Sequence, residues 1–304
     1  MTRHFLTIDA LGVDGLLQVC ELARSEGPAV LTHDEVALVF ERPSLRTRAA
    51  ASTAVHDLGG NATFFGDDEI GIDTRESAED VGRTLAQMFT VAGLRVRRHG
   101  ALERIRRATN DSMALVNLMS DVAHPTQAVA DLLTMADYLS GGDVRALAGV
   151  NVAYVGDVTN VARSLAVALL NVGANVTLGA PGEYQLGEGG IEDPRAVGGS
   201  LTLTDSAHDA VKGADVVYTD VWVSMGLEAE SQRRRIDLDA FRVDDSLLAA
   251  ASPGAVVLHC LPAHRGDEIT DEVLDGPQSV VWRQVFHRRS AMRGALRWIK
   301  EEPR

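Results

Sequence analysis

The sequence predicts an α/β fold of two doubly wound domains, each a mainly parallel sheet flanked by helices, joined by interdomain helices. Three observations predict it. Short apolar runs alternate with amphipathic helical stretches along the whole chain, the signature of consecutive strand–helix units. The strand runs are nearly continuous in apolar residues, as parallel strands covered on both faces must be. The length, 304 residues, corresponds to about two domains at roughly 150 residues each.

In the amino-terminal half, the β-rich run Val36–Phe40 leads into a turn at Glu41–Pro43 and a helical stretch after Ser44, and Asn61–Phe65 reads as the next strand. Pro125–Leu139 predicts a long helix, because Val129, Leu132, Leu133, Ala136 and Leu139 recur at helical spacing. Gly141-Gly142 then breaks the chain, so the split between domains is placed near Pro125–Gly142. The rhythm restarts with strand Asn151–Val155, helix Val161–Val172 and strand Asn175–Leu178. Strand Leu201–Thr204, helix Asp209–Lys212 and strands Val216–Thr219 and Ala255–His259 follow. The glycine-rich stretch Gly187–Gly199 reads as a flexible surface loop.

Charge and composition exclude several functions. With 29 basic and 43 acidic side chains the formal charge is −14. Nucleic-acid binding rests on basic patches that release counterions, and peripheral membrane binding on polybasic segments, so neither partner is expected. All the basic residues except Lys212 and Lys300 are arginine. Compositional bias accounts for most of that, and bidentate recognition of anions would account for a few positions. Two cysteines, Cys20 and Cys260, form no disulfide framework and no zinc-type spacing. Asp9 and Asp14 interrupt any signal-peptide core, and Asn171, Gly173, Asn175 and Pro181 interrupt the longest uncharged stretch. A soluble cytoplasmic protein is expected.

Ligands of parallel sheets bind beyond the carboxyl ends of strands, often on helix N-termini, so polar residues just after the strand runs are the candidates. Five such segments stand out. Glu41 through Arg48 places Ser44 as a helix N-cap behind Pro43, where exposed amides, two hydroxyls and two guanidiniums would cradle a phosphate; an ordinary capped helix with solvated arginines reads equally well. The segment lacks the Gly-rich pattern of a nucleotide P-loop. His124-Pro125-Thr126-Gln127 sets a His and a Gln on one helical face, both able to meet a carbonyl or an amide, although a His at a helix start is often only a cap. Gly156-Asp157-Val158-Thr159-Asn160 suggests a dinucleotide loop, but Val158 and Val161 stand where glycines are required, which rules it out. Asp220, at a strand end leading to Ser224-Met225-Gly226, would hold an amine or serve as a turn residue. Cys260, in His259-Cys260-Leu261-Pro262, is either inert core or a cleft-lining thiol. Nothing supports a hydrolase nucleophile.

Together and in this order, the five segments resemble the aspartate/ornithine carbamoyltransferase family, and its ornithine-using branch most. Ser44-Leu45-Arg46-Thr47-Arg48 is similar to the family's carbamoyl-phosphate loop, and His124–Gln127 to its His-Pro-x-Gln motif. Ser224-Met225-Gly226 and His259-Cys260-Leu261-Pro262 are similar to the two motifs that separate ornithine enzymes from aspartate enzymes. The resemblance implies a carbamoyl-phosphate-binding domain at 1–135, with a C-terminal helix 286–304 packing back on it, and an ornithine-binding domain at 136–285. Carbamoyl phosphate would be held by Ser44, Leu45, Arg46, Thr47, Arg97, His124, Gln127, Cys260, Leu261 and Arg288. Ornithine would be held by Asn160, Asp220, Ser224 and Met225. Arg97, His124, Cys260 and Asp220 would be the catalytic residues.

By the same resemblance the chain would transfer the carbamoyl group of carbamoyl phosphate to the δ-amine of ornithine, giving citrulline and phosphate, as a homo-oligomer of trimeric type. A neutral amine attacks the carbamoyl carbon, charge develops on its oxygen and phosphate leaves; this needs preorganised donors, worth ~3 kcal/mol each, and no metal or cofactor. Some positions depart from the family pattern. Phe286-His287-Arg288 keeps an arginine but loses two supporting polar residues, and Gly71 falls where a loop glutamine is usual. Alternatives in which the acceptor is another diamine or diamino acid, or the chain is a non-catalytic ligand-binding paralogue, therefore stand beside the main reading.

Overall fold

The computed structural model describes residues 2–187, 190–191, 198–223 and 228–301. The chain divides into two compact units, Met1–Ala130 with Phe286–Arg304, and Asp131–Val285. Ser224 and Met225 and most of the glycine-rich stretch Gly187–Gly199 lie outside the described residues.

In the first unit the order is α1 (Ile8–Arg24), β1 (Glu35–Phe40), α2 (Leu45–Asp57), β2 (Asn61–Gly66), α3 (Asp67–Ile70), α4 (Ala78–Ala86), β3 (Val91–Arg95), α5 (His99–Ala108) and β4 (Ala114–Met119). The sheet order is β2-β1-β3-β4 and every pairing is parallel. Because the chain leaves β1 for β2 on one side and returns to β3 on the other, the topological switch point lies beyond the carboxyl ends of β1 and β3. Of these nine elements the sequence reading named β1, α2 and β2 only, and two of the other six show why. The run of β3 contains Gly93, which would normally weaken a strand, but a Cβ there would come to 3.0 Å from Leu38 and 3.3 Å from Leu118, so glycine spares both side chains a tight contact. In α1, Gly12 takes φ +63° and kinks the helix, which blurs its periodicity.

Helix α6 (Pro125–Leu139) continues from the first unit into the second, where β5 (Asn151–Val155), α7 (Asn160–Asn171), β6 (Asn175–Gly179), β7 (Leu201–Thr204), α8 (Ala207–Val211), β8 (Val216–Thr219), α9 (Ser231–Leu238), α10 (Asp245–Leu248), β9 (Val256–His259) and α11 (Asp271–Leu274) follow. Helix α12 (Val281–Lys300) begins earlier than the predicted 286 and runs back into the first unit. The second sheet, β7-β6-β5-β8-β9, is also wholly parallel, and its switch point lies beyond β5 and β8. Each sheet is buried by its own apolar cluster: Val39, Leu94, Leu102, Ile105 and Leu115 in the first unit, and Val155, Val217, Val257, Val273 and Val281 in the second. No helix among the described residues is long and apolar enough to cross a membrane.

Candidate functional site

The polar residues singled out in the sequence gather beyond the carboxyl ends of the strands in each unit. In the first unit, β1 ends at Phe40 and Ser44 caps α2, its Oγ accepting the Thr47 N–H at 3.3 Å. The first turn of α2, the part of a helix suited to an anion, thereby follows directly on β1. Thr47 is buried and Arg46 half-buried one residue before it, whereas Leu45 is 78% exposed and offers only its backbone. Arg48 instead lies over the Phe64 ring at 4.1 Å, so its guanidinium is spent on packing.

Arg288, on α12, closes this cluster. It is buried and donates through Nη2 to Thr47 Oγ1 at 3.0 Å, through Nη1 to Gln127 Oε1, and faces His124 Nε2 at 3.3 Å. A guanidinium has only donors, so His124 Nε2 accepts there and its proton sits on Nδ1. Burial, followed by the charges of Arg288 and Arg95, holds the His124 imidazole well below its usual range. His124 is therefore a neutral donor at physiological pH. The loop that carries it is fixed by Asn117, a polar residue inside an otherwise apolar strand, whose Nδ2 donates to the Leu6 carbonyl at 2.9 Å, Ser120 Oγ at 3.2 Å and the Ala123 carbonyl at 3.3 Å.

The arginine after β3 differs from the sequence expectation. Arg97 is 38% exposed and paired: its guanidinium donates to Asp67 and, at 3.5 Å, to Glu41, while its backbone N–H donates to Glu41 Oε2 at 2.6 Å. Arg95, two residues earlier at the strand end, is the buried one, and its charge is felt by His124. The period of two along a strand puts Arg95 and Arg97 at equivalent positions in sequence, which is why spacing alone did not separate them. What separates them is Glu41, buried at the end of β1 with its carboxyl pushed up by burial against the pull of Arg97.

In the second unit, Thr219 Oγ1 donates to the Val155 carbonyl at 2.8 Å and ties β8 to β5 at the switch point. The next residue is Asp220, whose Oδ1 accepts the Cys260 thiol at 2.8 Å and the Val221 N–H at 2.7 Å. Burial raises the Asp220 carboxyl, with the neighbouring His259 ring and the Cys260 hydrogen bond working against it. Asn160 opens α7 just past β5, after the N-cap Thr159. Gly156 takes φ +116°, and a Cβ there would lie 3.2 Å from the Trp222 indole nitrogen; this glycine makes room for a buried tryptophan rather than for a pyrophosphate.

His259 shapes the loop that follows β9. Its Nδ1 accepts the Leu261 N–H at 2.9 Å, so its Nε2 donates to Glu268 Oε1 at 3.0 Å, and both side chains are fully buried. Leu261 has φ +58° and precedes a cis bond to Pro262. Asp220, His259 and Cys260 are three potential metal ligands with donor atoms within 4.8 Å of one another. Both nitrogens of His259 are already engaged, and the Cys260 thiol donates to Asp220, so the group is held by its own hydrogen bonds. Sequence reasoning gave no role to Asn117, Glu41 and Glu268 and preferred Arg97 to Arg95; for Arg95, Asn117 and Glu41 the visible signal was a polar residue set in, or at the end of, an apolar strand, whereas Glu268 lies in a turn and gave none.

Family models match both halves of the chain: "Aspartate/ornithine carbamoyltransferase, carbamoyl-P binding domain" over residues 3–137 and "Aspartate/ornithine carbamoyltransferase, Asp/Orn binding domain" over residues 148–299. An ornithine carbamoyltransferase of Methanoculleus marisnigri is 39% identical, over 97% of this chain and 96% of its own. Among solved structures, the chain is similar to the ornithine carbamoyltransferase of Pyrococcus furiosus, with a TM-score of 0.90 and 34% identity over 97% of this chain and 96% of that one. It is likewise similar to that of Thermus thermophilus, with a TM-score of 0.87 and 33% identity over 99% and 100%.

Proposed function

We propose, from the premise that the chain belongs to the aspartate/ornithine carbamoyltransferase family, that it transfers the carbamoyl group of carbamoyl phosphate to the δ-amine of L-ornithine, yielding L-citrulline and phosphate. The enzyme is a carbamoyltransferase of the ornithine type. The observation that carries the reading is the buried cluster of Arg288 with Thr47, His124 and Gln127 beside the capped first turn of α2. It is a set of donors suited to a small dianion with a carbonyl attached.

In this reading the amides of α2, Ser44, Arg46 and Thr47 take the phosphate, with Arg95 and Arg288 as guanidinium clamps. Arg95 replaces Arg97 because Arg97 is already paired with two carboxylates. His124, neutral, donates to the carbamoyl oxygen as charge develops there, and Gln127 Oε1 accepts from the carbamoyl amide. Loss of the neutral-histidine state would add a positive charge beside two arginines, which explains why the imidazole is kept from protonating. Asp220, Asn160, Ser224 and Met225 receive the amino-acid end of ornithine, with the Cys260 thiol and the Leu261 carbonyl at the reacting amine and carbamoyl groups. The amine must be unprotonated to attack, so the rate rises with pH across the range in which ornithine loses its proton. A cytoplasmic homotrimer acting in arginine biosynthesis completes the proposal.

The alternatives weaken on the same residues. A ligand-binding paralogue would not need a donor set graded between phosphate and carbonyl oxygen, nor a thiol held on a buried carboxylate. One assay tests the reading: carbamoyl-product formation with ornithine, putrescine, lysine and aspartate as acceptors. Citrulline from ornithine is expected to dominate; no product with any amine would sink the enzyme, and product from putrescine alone would sink the ornithine assignment.

A further inference from the structure

Three polar side chains meet at zero or near-zero exposure in the second unit, outside the residues given a role above. Asp131 and Tyr218 are fully buried and Gln284 is 1% exposed. Gln284 Nε2 donates to Asp131 Oδ1 at 2.7 Å and to Tyr218 Oη at 3.1 Å, and the Tyr218 hydroxyl donates to Asp131 Oδ2 at 3.2 Å. Gln284 Oε1 accepts the backbone N–H of His259 at 3.0 Å. Burying three such groups costs desolvation that an apolar cluster of the same volume avoids, so a fully connected network here points to geometry rather than stability.

The place of that last bond gives the geometry its meaning. β9 is the edge strand of its sheet, and by the period of two its residues 257 and 259 turn their N–H groups to the same, outer side. Val257 meets the backbone carbonyl of Gln278 there at 2.8 Å, but at His259 the acceptor is the Gln284 side chain. His259 immediately precedes Cys260, and its ring fixes Leu261 from the other side. Cys260 is thus held between two anchored neighbours while its thiol donates to Asp220. An amide locked on one side by a buried carboxylate and a phenol has one usable rotamer, which is what precise placement of a loop requires.

We propose that Gln284 is a positioning residue: through the His259 amide it sets the Cys260 thiol against Asp220, and Asp131 with Tyr218 locks its side chain in the required orientation. The inference rests on the reading that Asp220 and Cys260 serve the ornithine amine. Gln284→Met keeps the volume and removes all three bonds. Its kcat/KM for ornithine should fall about ten-fold, while affinity for inorganic phosphate changes less than two-fold. Iodoacetamide should alkylate Cys260, followed by peptide mass, at least three-fold faster than in the parent protein, because the thiol is no longer pinned to Asp220. Asp131→Asn alone, which retains an acceptor for Gln284, should keep both readouts within about three-fold of the parent. Should Gln284→Met fail to fold, Asp131→Leu unlocks the Gln284 rotamer and so loosens its bond to the His259 N–H while keeping both partners of that bond, and should show the same two changes. Unchanged alkylation together with unchanged ornithine kinetics overturns the proposal, as does an equal loss of phosphate affinity. A parent protein that makes no citrulline would overturn the functional reading instead, and the alkylation comparison would still decide the role of Gln284.

Discussion

The two switch points of this chain are built alike and charged oppositely. Beyond β1 and β3 the buried titratable groups are Arg95, Arg288 and Glu41, whose carboxyl is taken up by Arg97, with an imidazole that burial and the charges of Arg288 and Arg95 keep neutral. Beyond β5 and β8 they are Asp220, with its carboxyl raised chiefly by burial, and the His259–Glu268 pair. The same topology therefore sets guanidiniums at one switch point and a buried carboxylate at the other, the difference on which the proposed placement of the two substrates rests. Fold class determines where ligands gather, and the side chains at the strand ends determine which ligand each place receives. It also resolves how a chain with a formal charge of −14 can take an anionic substrate: the field that matters is local, and the buried guanidiniums of Arg95 and Arg288, with half-buried Arg46, outweigh carboxylates spread over a screened surface.

This division of labour can be broken most severely at Arg288. Arg288→Met should lower kcat/KM for carbamoyl phosphate about 100-fold, roughly 3 kcal/mol for charge-assisted bonds lost inside a buried cluster, and should leave the KM for ornithine within three-fold. Steady-state kinetics with each substrate varied in turn reads both numbers. The mirror experiment is Asp220→Asn, which should cut kcat/KM for ornithine about 30-fold, about 2 kcal/mol for a lost carboxylate partner, without weakening phosphate binding measured by calorimetry. Equal losses for both substrates in either variant would dissolve the distinction between the two places.

A finer cut separates two arginines of one strand end. Arg95→Ala should reduce kcat/KM for carbamoyl phosphate about ten-fold, whereas Arg97→Ala should change it less than three-fold, because the Arg97 guanidinium is already committed to Glu41 and Asp67. The reverse order would restore the assignment expected from sequence spacing. The smallest effect is on stability. The native pKa of His124 lies below its ordinary value of 6.5, so below that pH the unfolded chain takes up a proton that the native state refuses. Its contribution is present in full above pH 6.5 and is lost as pH falls through that value toward the native one. Melting temperature should accordingly drop between pH 7 and pH 5.5, and His124→Gln should flatten part of that drop; an identical slope in the variant would show that the imidazole is not kept neutral.

Much of this was legible in the sequence, and the limits were physical. The strands Glu35–Phe40, Asn151–Val155 and Val216–Thr219 announce themselves as apolar runs, and Ser44 as a cap, because those signals are local. Strand Val91–Arg95 was not legible, since its glycine is explained only by Leu38 and Leu118 on neighbouring strands. Arg95 could not be told from Arg97 until Glu41, 56 residues from Arg97, was seen to claim one of them. The Gln284 network joins side chains 87 and 153 residues apart, and no periodicity carries such information. Chemistry that lies within one strand-to-helix turn could be read from the sequence, whereas chemistry assembled across several strands required the fold.

The central claim, that the cluster around Arg288 and not the one around Asp220 receives the phosphorylated substrate, is tested most directly by titrating inorganic phosphate into the parent protein, Arg288→Met and Asp220→Asn in a calorimeter. Phosphate binding should be lost, or weakened at least 30-fold, in Arg288→Met and stay within two-fold of the parent in Asp220→Asn. Retained binding in Arg288→Met, or loss in Asp220→Asn, would contradict it.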